Sequence, residues 1–189
     1  MDKIGSLKEV TQFKKEIVAK MLGTEKLMQL LCNTNESPFS LPVAAPGEAL
    51  YRNIFPYVFA GPQTEEHIES YIMLEFICEG ASETYVKMGV LAYFYTHKQL
   101  MLIKDENNET KVRRDAIMEE VFSVLRRENW GIGPLVFKSL QPAYGLGSSY
   151  LGSCMIFETR TFQSATGTVL NPLTPFAFDD DDDEWDDEP

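Results

Sequence analysis

Two histidines and three cysteines are the residues of this chain best suited to nucleophilic or metal chemistry, and their spacing favours neither. Cys32, Cys78 and Cys154 are odd in number and far apart, with no CxxC or Cys/His spacing, so neither a zinc site nor a disulfide framework is expected. Cys78 and Cys154 fall in alternating runs and read as packing residues of strands. His67 lies in the polar run TEEHIES, a solvated position, and His97 ends an alternating run beside Thr96 and Lys98. A Cys78–His97 nucleophile–base pair would need these two runs to pair with the residues side by side, and no nucleophile signature accompanies it. Glu65/Glu66 and Glu119/Glu120 are sequence neighbours on polar segments, which suits solvated faces better than a general acid and base. Gly145, Gly147 and Gly152 lack the G-x-G-x-x-G register, no GK[ST] follows, and a strand-like run comes next, so they mark a hairpin loop rather than a phosphate cradle. The chain therefore reads as a non-enzymatic protein with no catalytic residue, cofactor or metal, whose function resides in its surfaces.

One charged feature stands apart. Asp179, Asp180, Asp181, Asp182, Asp183, Glu184, Asp186, Asp187 and Glu188 supply nine of the charges behind a net −12, which leaves the remainder near −3. The acidity thus belongs to one end, and the body offers no basic nucleic-acid-binding face. The run DDDDDEWDDE has neither the central glycine nor the spaced terminal glutamate of an EF-hand loop. Two readings stay open: a disordered solubilising tail, or an electrostatic docking element that mimics DNA phosphates, with Trp185 as its aromatic anchor.

These residues must be positioned by a body of ordinary domain size, 44% hydrophobic, with no apolar run of membrane-spanning length. No apolar run follows the amino-terminal lysine, so synthesis in the host cytoplasm without a signal peptide is expected. Leu7, Val10, Phe13, Ile17, Met21 and Leu22 recur at helical spacing, Gly23 is a stop, and Thr24 is placed to cap a second helix through Cys32, giving a helical segment over 1–33. Residues 34–68 hold Pro38, Pro42, Pro46, Pro56 and Pro62 among many aromatics. They read as an ordered extended arm, packed either on the body or on a neighbouring subunit. Residues 69–163 read as two hairpins flanking a helix. Tyr71–Cys78 and Tyr85–His97 form the first hairpin with one face buried, and a charged loop spans Lys104–Lys111. The helix covers about Val112–Arg127, and the second hairpin joins Leu135–Leu140 to Leu151–Phe162. An extended segment over 164–178 leads into the acidic tail at 179–189. The expected fold is α+β, helix–strand–strand–helix–strand–strand, with helices on one face of a four-stranded, mainly antiparallel sheet. Its other face would be rich in tyrosine and suited to a second subunit.

The segment YRNIFPYVFAGPQTEEHIESYIMLEF (Tyr51–Phe76) resembles a stretch of the tail completion, or tail terminator, proteins of long-tailed bacteriophages, where an aromatic-proline element precedes the first long strand. The resemblance continues through GVLAYFYTHKQLM, RRDAIMEEVFSVL and GIGPLVFKSLQPAYGLGSSYLGSCMIFETRTF, about residues 8–163, in order, length and aromatic placement rather than in any chemically unique residue. It implies a virion structural protein of the neck, a ring, by resemblance a hexamer, that caps the tail tube and joins tail to head. Its partners would be its own copies, the tail tube protein and the head connector, with DNA passing through the lumen unread and no membrane involved. On that reading the contact residues are Tyr51, Ile54, Phe55, Tyr57 and Phe59 of the arm and Tyr144 and Leu146 of the glycine loop. The acidic end departs from the short polar end typical of the family. A head-closure or adaptor protein, and an acidic-tailed regulator that mimics DNA, are the alternatives.

Overall fold

The computed structural model describes residues 7–58, 67–81, 85–127, 130 and 134–162. Helix α1 (Leu7–Leu22) and helix α2 (Glu25–Cys32) have the expected bounds. Phe13, Ile17 and Met21 of α1 and Leu27, Met28, Leu30 and Leu31 of α2 are buried, as their helical spacing requires. Gly23 follows the end of α1 and Thr24 stands at the N-cap position of α2, as expected, but the Thr24 side chain does not cap. The Gly23 amide donates to the Ala19 carbonyl, and the Thr24 hydroxyl donates to the Lys20 carbonyl at 2.9 Å, so Thr24 finishes α1 while its side chain leaves α2 uncapped.

The described part of the proline-rich stretch is a chain of tight turns seated on the molecule's own core. A 3-10 turn at Pro38–Ser40 precedes the short helix α3 (Pro46–Ala49) and the two-residue strand β1 (Ile54–Phe55). Proline stands at the start of both helical turns, where its missing amide costs nothing. Buried Asn53 ties the segment down: its amide donates to the carbonyls of Leu31 and Ser70, and its own carbonyl accepts from the Ile72 amide at 2.7 Å.

Strands β2 (Ser70–Ala81) and β3 (Tyr85–His97) pair antiparallel, in the expected hairpin. The charged stretch 104–111 is the tip of a small hairpin, β4 (Leu102–Lys104) with β5 (Thr110–Val112), rather than a bare loop. The Asp105 carboxylate accepts from the Asn107 and Glu109 amides and pairs with Lys111 at 3.0 Å, which holds its carboxyl below the usual range. Helix α4 (Arg113–Arg127) then crosses the sheet, followed by β6 (Val136–Ala143) and β7 (Tyr150–Phe162).

The α+β class holds, but the sheet has five strands and is mixed, in the order β1-β2-β3-β7-β6. The fifth strand is β1, which runs parallel to β2 because the turns of 38–53 bring Ile54 and Phe55 beside Ile72 and Met73. No alternating run announces a strand of two residues. Helices α1, α2 and α4 cover one face over a core of Ile54, Ile72, Leu74, Val90, Ala92, Phe94, Met155 and Phe157. The expectation that only this face is buried fails at one end of the sheet. There Phe55, Tyr71, Met73, Tyr95, Leu146 and Tyr150 make a second, smaller core on the opposite face.

At the α2–α4 junction sits Arg113, 1% exposed. Its guanidinium donates to the carbonyls of Leu100 (2.9 Å), Leu30 (2.8 Å), Asn33 and Asn35 (2.7 Å). It thus closes the carboxyl end of α2, whose last carbonyls need donors, and fixes the start of α4. Burial without a compensating carboxylate among the described residues pulls its pKa down to about 10.

Candidate functional site

The residues singled out for chemistry are placed apart. Cys78 lies opposite Met88 in the β2–β3 register, nine residues from His97 along β3, or about 30 Å at ~3.3 Å per residue. His97, the last residue of β3, caps the 3-10 turn that follows: its Nδ1 accepts from the Gln99 amide, and its ring stands edge-on to Tyr150 at 5.2 Å. His67 contributes its carbonyl, which accepts from the Tyr150 hydroxyl. Burial pushes the Cys154 thiol up to about 11 and raises that of Cys32 as well, the reverse of what activates a nucleophile. Glu120 pairs with Lys26 at 3.4 Å. Among the described residues no group of three His, Cys, Asp or Glu side chains is placed to hold a metal ion. Glu65, Glu66 and the acidic end Asp179–Glu188, with Trp185, lie outside the described residues.

Two apolar surfaces do emerge. The first is an aromatic corner on the face opposite the helices. Phe55, Tyr71 and Tyr150 follow one another at ring distances of 6.2 and 5.7 Å, and Leu146 folds onto them from the 143–149 loop. That fold is possible because Gly145 (φ 136°) and Gly147 (φ 85°) take left-handed backbone on either side of Leu146. Gly152 answers a different need, since a Cβ there would stand 2.3 Å from the Ala143 carbonyl oxygen and 2.6 Å from the Tyr95 ring. Tyr95 thus lies over Gly152 and donates its hydroxyl to the Tyr144 carbonyl at 3.3 Å. Burial raises the hydroxyl pKa of Tyr71 strongly, reinforced by the Tyr150 hydroxyl beside it.

On top of this cluster are side chains turned to solvent. Tyr51 is 60% exposed, Tyr57 half exposed, and Tyr144 88% exposed. Tyr51 and Tyr57 stack at 6.2 Å, and Tyr57 stands edge-on to Phe55. Tyr51 also holds φ 62°, a left-handed conformation that costs a tyrosine about 1–3 kcal/mol. Of the seven expected contact residues, Tyr51, Tyr57 and Tyr144 are thus at the surface. Ile54, Phe55 and Leu146 are core residues, because strand pairing and the glycine turns carry them inward. Phe59 lies outside the described residues.

The second surface is the far edge of the sheet. β6 pairs only with β7 among the described strands, so its outer row of amides and carbonyls is open. The register slips between Phe137 and Ser139, an extra residue that breaks the period of two. Phe137 and Leu140, three apart, therefore point to the same face, opposite Phe157 and Met155. With Met118 and Phe122 of α4 and with Met155 they line an apolar groove of about 330 Å³, rimmed by Asp115 and Glu119. Phe122, Phe137 and Phe157 meet ring to ring at 5.5–6.0 Å. Sequence reasoning missed this surface. Its signal was present in α4, where Met118 and Phe122 widen the apolar arc beyond the Ile117, Val121, Leu125 stripe that the core uses.

The YomW family model matches residues 24–159, from the start of α2 to near the end of β7. The chain belongs to the YomW family. The YomW match takes in both apolar surfaces and stops short of the acidic end. No curated protein and no solved structure matches the chain.

Proposed function

We propose that this protein is a virion structural subunit, a tail terminator whose copies form a ring that caps the tail tube and joins the tail to the head. One observation carries the reading: the molecule has two unlike apolar surfaces at opposite edges of one sheet, the aromatic corner beside β1 and the groove beside β6. A ring of identical subunits is built from a heterologous contact, in which one patch meets a different patch on the next copy, and two such patches on opposite sides are its requirement. Membership of the YomW family, a family of phage-region proteins, supports the same setting. The Tyr144 side chain, 88% exposed on the loop that follows β6, suits contact with the tube or the head connector.

Electron microscopy of the purified protein mixed with tail tubes tests this. A ring seated at the head-proximal end of the tube is the expected result. Binding to connector-bearing capsids and not to tubes would replace the terminator by a head-closure adaptor, and absence of any ring in either mixture would overturn both.

A further inference from the structure

We infer that the groove between α4 and β6 receives the stacked Tyr51–Tyr57 pair of the next copy of this chain. The inference rests on the ring reading above and names the contact that closes it. The groove is apolar at its base, with Met118, Phe122, Phe137, Leu140 and Met155, and acidic at its rim, with Glu119 and with Asp115, whose carboxylate also accepts from the Arg114 Nε at 3.3 Å. The tyrosine pair is apolar and carries Arg52 beside it, whose side chain is 63% exposed while bonded to Glu69. Ring pair to apolar base and guanidinium to acidic rim is a complementary match in both terms.

Placement on the sheet agrees. The groove opens on the helix-covered face at the β6 edge, where Phe137 and Leu140 stand opposite the core residues Phe157 and Met155. The tyrosine pair sits at the β1 edge on the other face, joined through Tyr57 to Phe55 of the second core. Identical subunits can then overlap like roof tiles, each laying the underside of one edge over the upper side of its neighbour's opposite edge. A two-fold β6-to-β6 pairing is disfavoured by the bulge at Phe137/Ser139, which interrupts a regular ladder, and by the meeting of two acidic rims. The left-handed Tyr51 points the same way, since strained backbone tends to cluster at functional sites. Being about half exposed, the two tyrosines can each supply roughly half of the ~150–250 Å² that an aromatic buries, out of ~800 Å² per partner in a standard interface, and the open β6 edge can supply more.

The test uses full-length protein in which Leu140→Cys and Tyr51→Cys are made separately, then mixed and treated with a short bis-maleimide. Both positions are well exposed, so the fold is retained. Cross-linked dimers that form in the mixture, and not with either variant alone or with the parent chain, support the inference. Cross-linking of Leu140→Cys protein to itself would overturn it in favour of a two-fold contact. Rings seen in the microscope without the mixed cross-link would overturn this contact while leaving the ring reading standing; protein that stays monomeric throughout would remove both. As a second measurement, Arg52→Glu is expected to weaken self-association about tenfold or more, and Asp115→Lys with Glu119→Lys to restore it. Loss without restoration would place Arg52 outside the contact.

Discussion

Helix α4 shows two opposite solutions to the problem of a helix surface. At its start, Arg113 is wholly enclosed and spends its guanidinium on four carbonyls of neighbouring segments. Along the flank facing β6, Met118 and Phe122 border a groove that no described segment fills. The first region is closed in every polar and apolar term, and its residues hold the fold together. The second is left open beside an unpaired strand edge, an arrangement a monomer normally avoids because such edges invite other chains. The difference separates the part of the molecule that makes it stable from the part proposed to make it assemble.

Substitutions at the closed region carry the largest stability effect. Arg113→Met would remove donors from the Leu100, Leu30, Asn33 and Asn35 carbonyls, and urea unfolding should show a loss of about 3–4 kcal/mol. Lysine in its place should recover only part, because one ammonium cannot reach four carbonyls in the planar pattern of a guanidinium. Gly152→Ala should come next, at about 1–3 kcal/mol, since the new methyl meets a backbone oxygen as well as the Tyr95 ring. That change lies in the second core, so near-ultraviolet circular dichroism of the tyrosines should move more than the far-ultraviolet helix signal.

A milder test of the second face uses pH. Burial raises the Cys154 thiol to about 11 and the Tyr93 hydroxyl to about 12, so the folded chain keeps these protons after the unfolded chain has released them. Neither group affects stability while both states are protonated. Stability should therefore begin to fall near pH 9, at no more than about 1.4 kcal/mol per pH unit for each proton the folded chain retains, and the thiol's share should level off near pH 11. Denaturation series at pH 8, 9, 10 and 11 check the slope, and Cys154→Ala should flatten it. The smallest stability effect belongs to the open region. Leu140→Lys, at a side chain 53% exposed, should change unfolding free energy by no more than about 0.5 kcal/mol while weakening self-association. A large loss of stability there would mean that the groove is part of the fold after all.

Much of the helix and strand framework was legible from the chain. The helical spacing of Phe13, Ile17 and Met21 and the alternation of Tyr85–His97 gave elements whose bounds the structure repeats, because burial of one face dictates those periods. Arg113 was not legible: an arginine in the basic run KVRR at the head of a helix reads as a solvated residue, and only the meeting of α2, the 98–101 turn and α4 encloses it. Strand β1 was hidden for a related reason, being defined by its neighbour rather than by any pattern of its own. At the surfaces, exposed tyrosines were distinguishable as candidates, yet Ile54, Phe55 and Leu146 could not be told from them, since aromatic and aliphatic residues in a turn-rich stretch have no period to show which way they face. The groove depended on a one-residue bulge, which reverses the parity on which strand reading relies.

On the proposed reading, unlike edges of one sheet join identical copies into a closed ring. Native mass spectrometry of the full-length protein over a range of concentrations tests it most directly. The expected result is a single closed oligomer of more than two copies, six on the family resemblance, which Leu140→Lys and the pair Tyr51→Ser with Tyr57→Ser each dissolve into monomers. A dimer that grows no further, or an oligomer indifferent to both sets of substitutions, would contradict it.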